Sequence, residues 1–159
     1  MQTYQARVEV ERKHYDTCDD VHQLPAIFHY WSNRYLKQRL ERLGFDGPNG
    51  MFLQSLKRQA TQGAQSFVSI GSGNCDLEVE LALGLQKAGF NDFTMECLNL
   101  NPVMLERGKQ AARVAGVAEQ LRFVEADFNY WDPNAGYKAR HPHPRRVSSR
   151  HGIRRTPTP

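Results

Sequence analysis

Nowhere does the chain string together the roughly 18 to 20 apolar residues that a membrane-spanning helix needs, and its first sixteen residues, MQTYQARVEVERKHYD, hold no apolar signal-peptide core. A cytoplasmic protein without a membrane span is the expectation. Cysteine is scarce. Cys18, Cys75 and Cys97 lie far apart with no CxxC pair, which argues against a disulfide framework and a zinc knuckle alike. Acidic residues vanish from one end: between Lys138 and Pro159 there are seven basic side chains and none of the opposite sign. Removing those seven from the 21 basic residues leaves 14 against 17 acidic ones in positions 1–137, a net of −3. The overall charge of +4 and pI near 9.1 therefore belong to the tail, and nucleic acid is not the expected partner of the body.

What remains reads as one soluble domain. At 159 residues, 40% hydrophobic and 24% charged, the chain has room for a single core. Positions 1–24 are polar and show no period, so the arm stays unassigned. From Pro25 on, Phe28, Trp31, Tyr35, Leu36, Leu40 and Leu43 recur at spacings of three and four and predict one face of a helix closed by Gly44. A turn-rich stretch, Asp46 to Gly50, leads into a shorter helix over 51–62 with Met51, Phe52, Leu56 and Ala60 inward.

The next segments alternate. FVSIG at 67–71 predicts a strand that stops at a glycine-rich turn, and Leu77, Leu81, Leu85 and Ala88 mark the helix behind it. FTMECLNL at 93–100 predicts a second strand, with Asn101 as N-cap and Pro102 at the first helical position. Met104, Leu105, Ala111, Ala112 and Val114 are the apolar positions of that helix, Gly116 its end, and LRFVEADF at 121–128 a third strand. The order βαβαβ implies a parallel sheet with a ligand crevice at the strands' C-terminal ends. The fold expectation is α/β: an incomplete doubly wound parallel sheet with N-terminal helices. The organisation expected is an arm and helices over 1–64 as a candidate lid, a cofactor-binding half-domain over 65–137, and a basic tail over 138–159.

Chemistry concentrates between Phe67 and Glu78. Gly71, Ser72, Gly73 and Asn74 carry the chain from strand to helix, where glycine lets backbone approach a ligand and a helix N-terminus favours negative charge. A dinucleotide fingerprint would want glycine at position 76, but that residue is Asp76, and no Gly-Lys-Ser/Thr follows for a P-loop.

With VSIGSGNCD, LNLNPVML and VEADFNYW in this order, the stretch from about Phe67 to Trp131 resembles the class I, Rossmann-like S-adenosylmethionine-dependent methyltransferases. The resemblance implies S-adenosyl-L-methionine as cofactor, a small molecule as methyl acceptor, and a donor site at Gly71, Ser72, Gly73, Asn99, Leu100, Asp127 and Phe128. Asp127 would accept from the adenine amino group, the Phe128 amide would donate to the ring, and Asn99 stands where the family usually places a ribose-binding acid. Ser69 replaces a common acid and Cys75 a frequent third glycine. His14, His22, His29, Tyr30, Trp31 and Tyr35 are candidates for a lid or acceptor wall.

NYWDPNAGY leads, in that family, into a fourth strand, whereas here it leads into the basic tail. The expectation is a truncated or frameshifted methyltransferase, active or not in this form, whose first strand, deprived of a neighbour, leaves an apolar edge open to self-association. A non-enzymatic fragment whose tail binds nucleic acid or membrane by charge is the alternative reading, and a dinucleotide oxidoreductase a third that Asp76 disfavours.

Overall fold

The computed structural model describes residues 3–16 and 25–132; Cys18, His22 and the basic tail lie outside the described residues. The chain opens with a helix, α1 (Tyr4–Asp16). Next come α2 (Ala26–Trp31), a π-helical turn over Ser32–Lys37, α3 (Gln38–Arg42) and α4 (Pro48–Thr61). The alternating half follows: β1 (Ser66–Ile70), α5 (Asp76–Lys87), β2 (Thr94–Asn99), α6 (Pro102–Ala115) and β3 (Leu121–Glu125). The strands form one parallel sheet in the order β1-β2-β3, with Ser66 opposite Thr94 and Met95 opposite Leu121. This is the expected incomplete α/β sheet. The third strand ends at Glu125, three residues short of the expectation, because Asp127 turns the chain with its own carboxylate.

Two consecutive right-handed crossovers in the same direction put α5 and α6 on one face of the sheet. The core lies there, between Phe67, Met95, Cys97 and Leu121 of the strands and Leu81, Leu85, Leu105 and Ala112 of the helices. Phe67 and Phe93 meet edge-on with ring centroids 6.2 Å apart. Glu96 belongs to the opposite face, where it pairs with Arg122 across the strands at 2.7 Å, as its odd spacing from Asn99 requires.

The helix ends follow local chemistry. Asn101 Oδ1 accepts from the amides of Val103 and Met104 and caps α6; Gly116, at φ +75°, closes it. Gly44, at φ +82°, stops α3.

Inward positions depart from periodicity in four places. In α4, Leu53, Leu56 and Ala60 pack against the core while Phe52 faces solvent, and in α6 Val114 is exposed. Ala88 has passed the end of α5 and is exposed. Along α2 to α3 only Leu40 of the expected stripe is buried. The intervening π-helical turn changes the residue spacing, so a single 3.6-residue stripe is not maintained through it.

Candidate functional site

The loop leaving β1 is wound left-handed at alternate residues: Gly71 at φ +75°, Gly73 at +56° and Cys75 at +62°. Cys75 is the one non-glycine with positive φ among the described residues. It sits where the resembling family often has its third glycine, and it takes a glycine's backbone conformation. The amides of Gly71 and Ser72 both donate to the Leu98 carbonyl, at 2.8 and 3.1 Å, which clamps the loop to the end of β2. Those two donors are therefore spent within the protein.

At the tip of β2, Asn99 Oδ1 accepts from the Asn101 amide at 2.8 Å. At the tip of β3, Asp127 Oδ1 accepts from the backbone and side-chain nitrogens of Asn129, at 2.9 and 2.8 Å. Helix α1 roofs these tips. Tyr4 donates its hydroxyl to Asp127 Oδ2 at 2.6 Å and accepts from Asn129 Nδ2 at 2.9 Å. Arg12 pairs with Glu125 at 3.1 Å. Asn101 Nδ2 donates to the Arg12 carbonyl and to Asp16 Oδ1, at 3.1 and 2.9 Å. The Tyr4 bond, followed by the Asn129 amide, holds the Asp127 carboxyl below the usual carboxylate range, and the same bond pushes the Tyr4 hydroxyl up.

Roof and strand tips enclose a cavity of about 310 Å³. Of the seven residues expected at a donor site, Gly71, Asn99, Leu100, Asp127 and Phe128 line it; Ser72 and Gly73 do not. The sequence offers 1–64 as a candidate lid without singling out the side chains that line the cavity, which are Tyr4, Val8, Glu11, Arg12 and Tyr15 of α1, with Met104 of α6. Helix α1 buries no residue; Tyr4, Val8 and Tyr15 share one face at helical spacing, but Glu11 and Arg12 interrupt it and mask the pattern. The expected lid aromatics lie apart from the cavity. Tyr30, Trp31 and Tyr35 are all more than 40% exposed, and Trp31 lines a separate hollow with Ile27, Phe28, Ser32 and Leu36.

Behind the loop, Glu78 is buried at 3% exposure. Ser69 Oγ donates to its Oε1, and Oε2 has no partner among the described residues. Burial pushes the Glu78 carboxyl above its ordinary range. A carboxyl in the first turn of α5 thus meets Ser69, which stands where the resembling family has a common acid.

The cavity combines acceptors on Asp127, Glu11 and Asn99 with apolar walls from Ile70, Leu98, Met104 and Phe128. Arg12, paired with Glu125, lines it too, and the whole suits a ligand with an apolar portion and hydrogen-bond donors. Among the described residues no group of three or more His, Cys, Asp or Glu side chains could hold a metal ion, and no helix is long and apolar enough to cross a membrane.

Parallel strands in the order β1-β2-β3, joined by α5 and α6, with a cavity at their C-terminal tips, define the architecture. The fold is a partial Rossmann-like sheet. Solved structures similar to it include an S-adenosylmethionine-dependent methyltransferase from Geobacter sulfurreducens in complex with S-adenosyl-L-homocysteine: 18% identity, TM-score 0.35, covering 47% of this chain and 28% of that one. Another, from Thiobacillus denitrificans and in complex with the same molecule, is 20% identical with a TM-score of 0.36, over 65% of this chain and 37% of that one. A protein of uncharacterised function from Burkholderia thailandensis reaches a TM-score of 0.41 at 21% identity, over 50% and 23%. This partial sheet thus spans well under half the length of each of these proteins. No protein-family model matches the chain, and no curated protein matches it.

Proposed function

We propose that this chain is the donor-binding half of an S-adenosylmethionine-dependent methyltransferase acting on a small molecule. One observation carries the reading: three segments distant in sequence, ending β1, β2 and β3, bring Gly71, Asn99, Leu100, Asp127 and Phe128 to one cavity. The residues fit the cofactor. A Cβ built on Gly71 meets nothing within 4 Å, so the backbone there borders open space, and the acceptors match a ligand whose adenine amino and ribose hydroxyls donate.

In this reading Asp127 accepts from the adenine amino group through a lone pair that Tyr4 leaves free, and Phe128 lies along the ring. Asn99 accepts from a ribose hydroxyl. Gly71 and Gly73 shape the loop so that the methionyl portion passes close to backbone. When bound, the cofactor supplies an electrophilic methyl on a sulfonium. The protein's part in the transfer is alignment and exclusion of water, and Tyr4, Val8 and Tyr15 of α1 supply the cover.

Titration calorimetry with S-adenosylmethionine and S-adenosylhomocysteine tests the proposal. Saturable heat is expected, and Asp127→Ala should abolish most of it while leaving the circular dichroism spectrum unchanged. Absence of heat at millimolar ligand, or binding indifferent to Asp127→Ala, refutes the assignment.

A further inference from the structure

The outer edge of β1 is uncovered among the described residues. In a parallel ladder, alternate residues of a strand turn both backbone groups toward a given neighbour. The Gln65 carbonyl accepts from the Thr94 amide and the Gly71 amide donates to Leu98, so odd-numbered residues of β1 face β2. The N–H and C=O of Ser66, Val68 and Ile70 therefore point outward from the sheet. Their face is open as well: Val68 and Ile70 are 48% and 55% exposed, on the side of the sheet opposite α5 and α6.

Proteins usually blunt such an edge with a lysine, a proline or a bulge. Here no charged residue occurs between Arg58 and Asp76, and the strand contains no proline. The far edge differs, since β3 carries Arg122 and Glu125. Of the two sheet edges among the described residues, that of β1 is the one without charged side chains, and its outward backbone groups are symmetric about Val68.

We propose that β1 pairs antiparallel with β1 of a second copy of this chain across a twofold axis at Val68. The six outward groups on each strand complement themselves: Ser66 exchanges bonds with the partner's Ile70, and Val68 with the partner's Val68. Two three-stranded sheets become one of six strands, and paired Val68 side chains cover each other on the open face. A two-fold contact of this kind is isologous and closes at the dimer. A single strand pair falls short of the roughly 1,000 Å² of a stable assembly, so the dimer is concentration-dependent. This inference stands apart from the methyltransferase reading and needs no cofactor.

Sedimentation velocity from micromolar to submillimolar protein should show a reversible monomer–dimer equilibrium. Val68→Lys and Val68→Glu each place like charges directly opposite one another and should each yield monomers with unchanged circular dichroism. Mixing the two should restore the dimer, because only then do opposite charges meet; Val68→Thr, still β-branched, should dimerise like the parent. Parent protein that stays monomeric throughout overturns the proposal. So do charged variants that dimerise as before, or a mixture that does not recover. A monomer whose Val68 and Ile70 amides exchange slowly with solvent also overturns it, by showing that another segment of the same chain occupies the edge.

Discussion

Gly108 lies in the middle of α6, directly beneath the loop that leaves β1. A Cβ built there meets Cys75 Cβ and Sγ, each at 2.9 Å, and the Asn74 carbonyl at 3.0 Å. Alanine is ordinarily the better residue inside a helix by about 1 kcal/mol. The expectation here is the reverse. Neither Cys75 Cβ nor a backbone carbonyl can swing aside, so α6 must back away from the loop, and overpacking of this kind costs about 1–3 kcal/mol. Gly108→Ala should therefore lose about 1–2 kcal/mol of unfolding free energy, read from urea transitions at constant slope. Cys75→Gly removes two of the three obstructing atoms and suits the left-handed backbone. In that background Gly108→Ala should cost about 1 kcal/mol less, a coupling expected only of touching residues. If Gly108→Ala is as stable as the parent, or the two changes simply add, the packing argument fails.

Glu78 is raised by burial, so its contribution to stability is fully present below the ordinary glutamate pKa and is lost as pH rises through the folded value. Glu78→Gln keeps an acceptor for Ser69 without the charge and should raise Tm at neutral pH, the gain shrinking toward acid; a pH-independent difference in scanning calorimetry would contradict this. Asp127 has the opposite sign. Its carboxyl is depressed chiefly by Tyr4, so the hold on α1 is present at neutral pH and weakens as pH falls through that value. Tyr4→Phe should speed amide exchange in α1 at neutral pH and remove this acid-dependent step, and equal protection in parent and variant would count against the roof contact. Asn99→Asp gives ribose hydroxyls a charged acceptor, so S-adenosylhomocysteine should bind about fivefold tighter, and weaker binding would remove Asn99 from the donor site.

The alternating half of the molecule was legible because its elements announce themselves locally. Asn101 before Pro102, the glycines after Ile70 and Gly116 after α6 are signals that act within a turn or two of chain, and each one formed the structure expected of it. The crevice followed from βαβαβ order alone. Helix α1 gave no such sign, since its hold on the body is polar and long-range: Tyr4 reaches Asp127, 123 positions away, and the Arg12 carbonyl reaches Asn101 across 89. Periodicity in α2 and α3 misled for the converse reason. A stripe of apolar residues states what could be buried, and burial needs an opposing surface that the described residues do not supply there. Glu78 reads from sequence as an ordinary first-turn acid, and only the approach of Ser69 from β1 makes it interior.

Asn101 joins two jobs in one side-chain amide: its oxygen starts α6, and its nitrogen holds the last turn of α1. The nitrogen is aimed correctly only once the oxygen has engaged the amides of Val103 and Met104, so α1 has no seat until β2 and α6 are wound. During synthesis α1 must wait for more than a hundred further residues before Glu125 and Asp127 arrive to complete its contacts. Among the described elements, α1 precedes the others in the chain and settles after them.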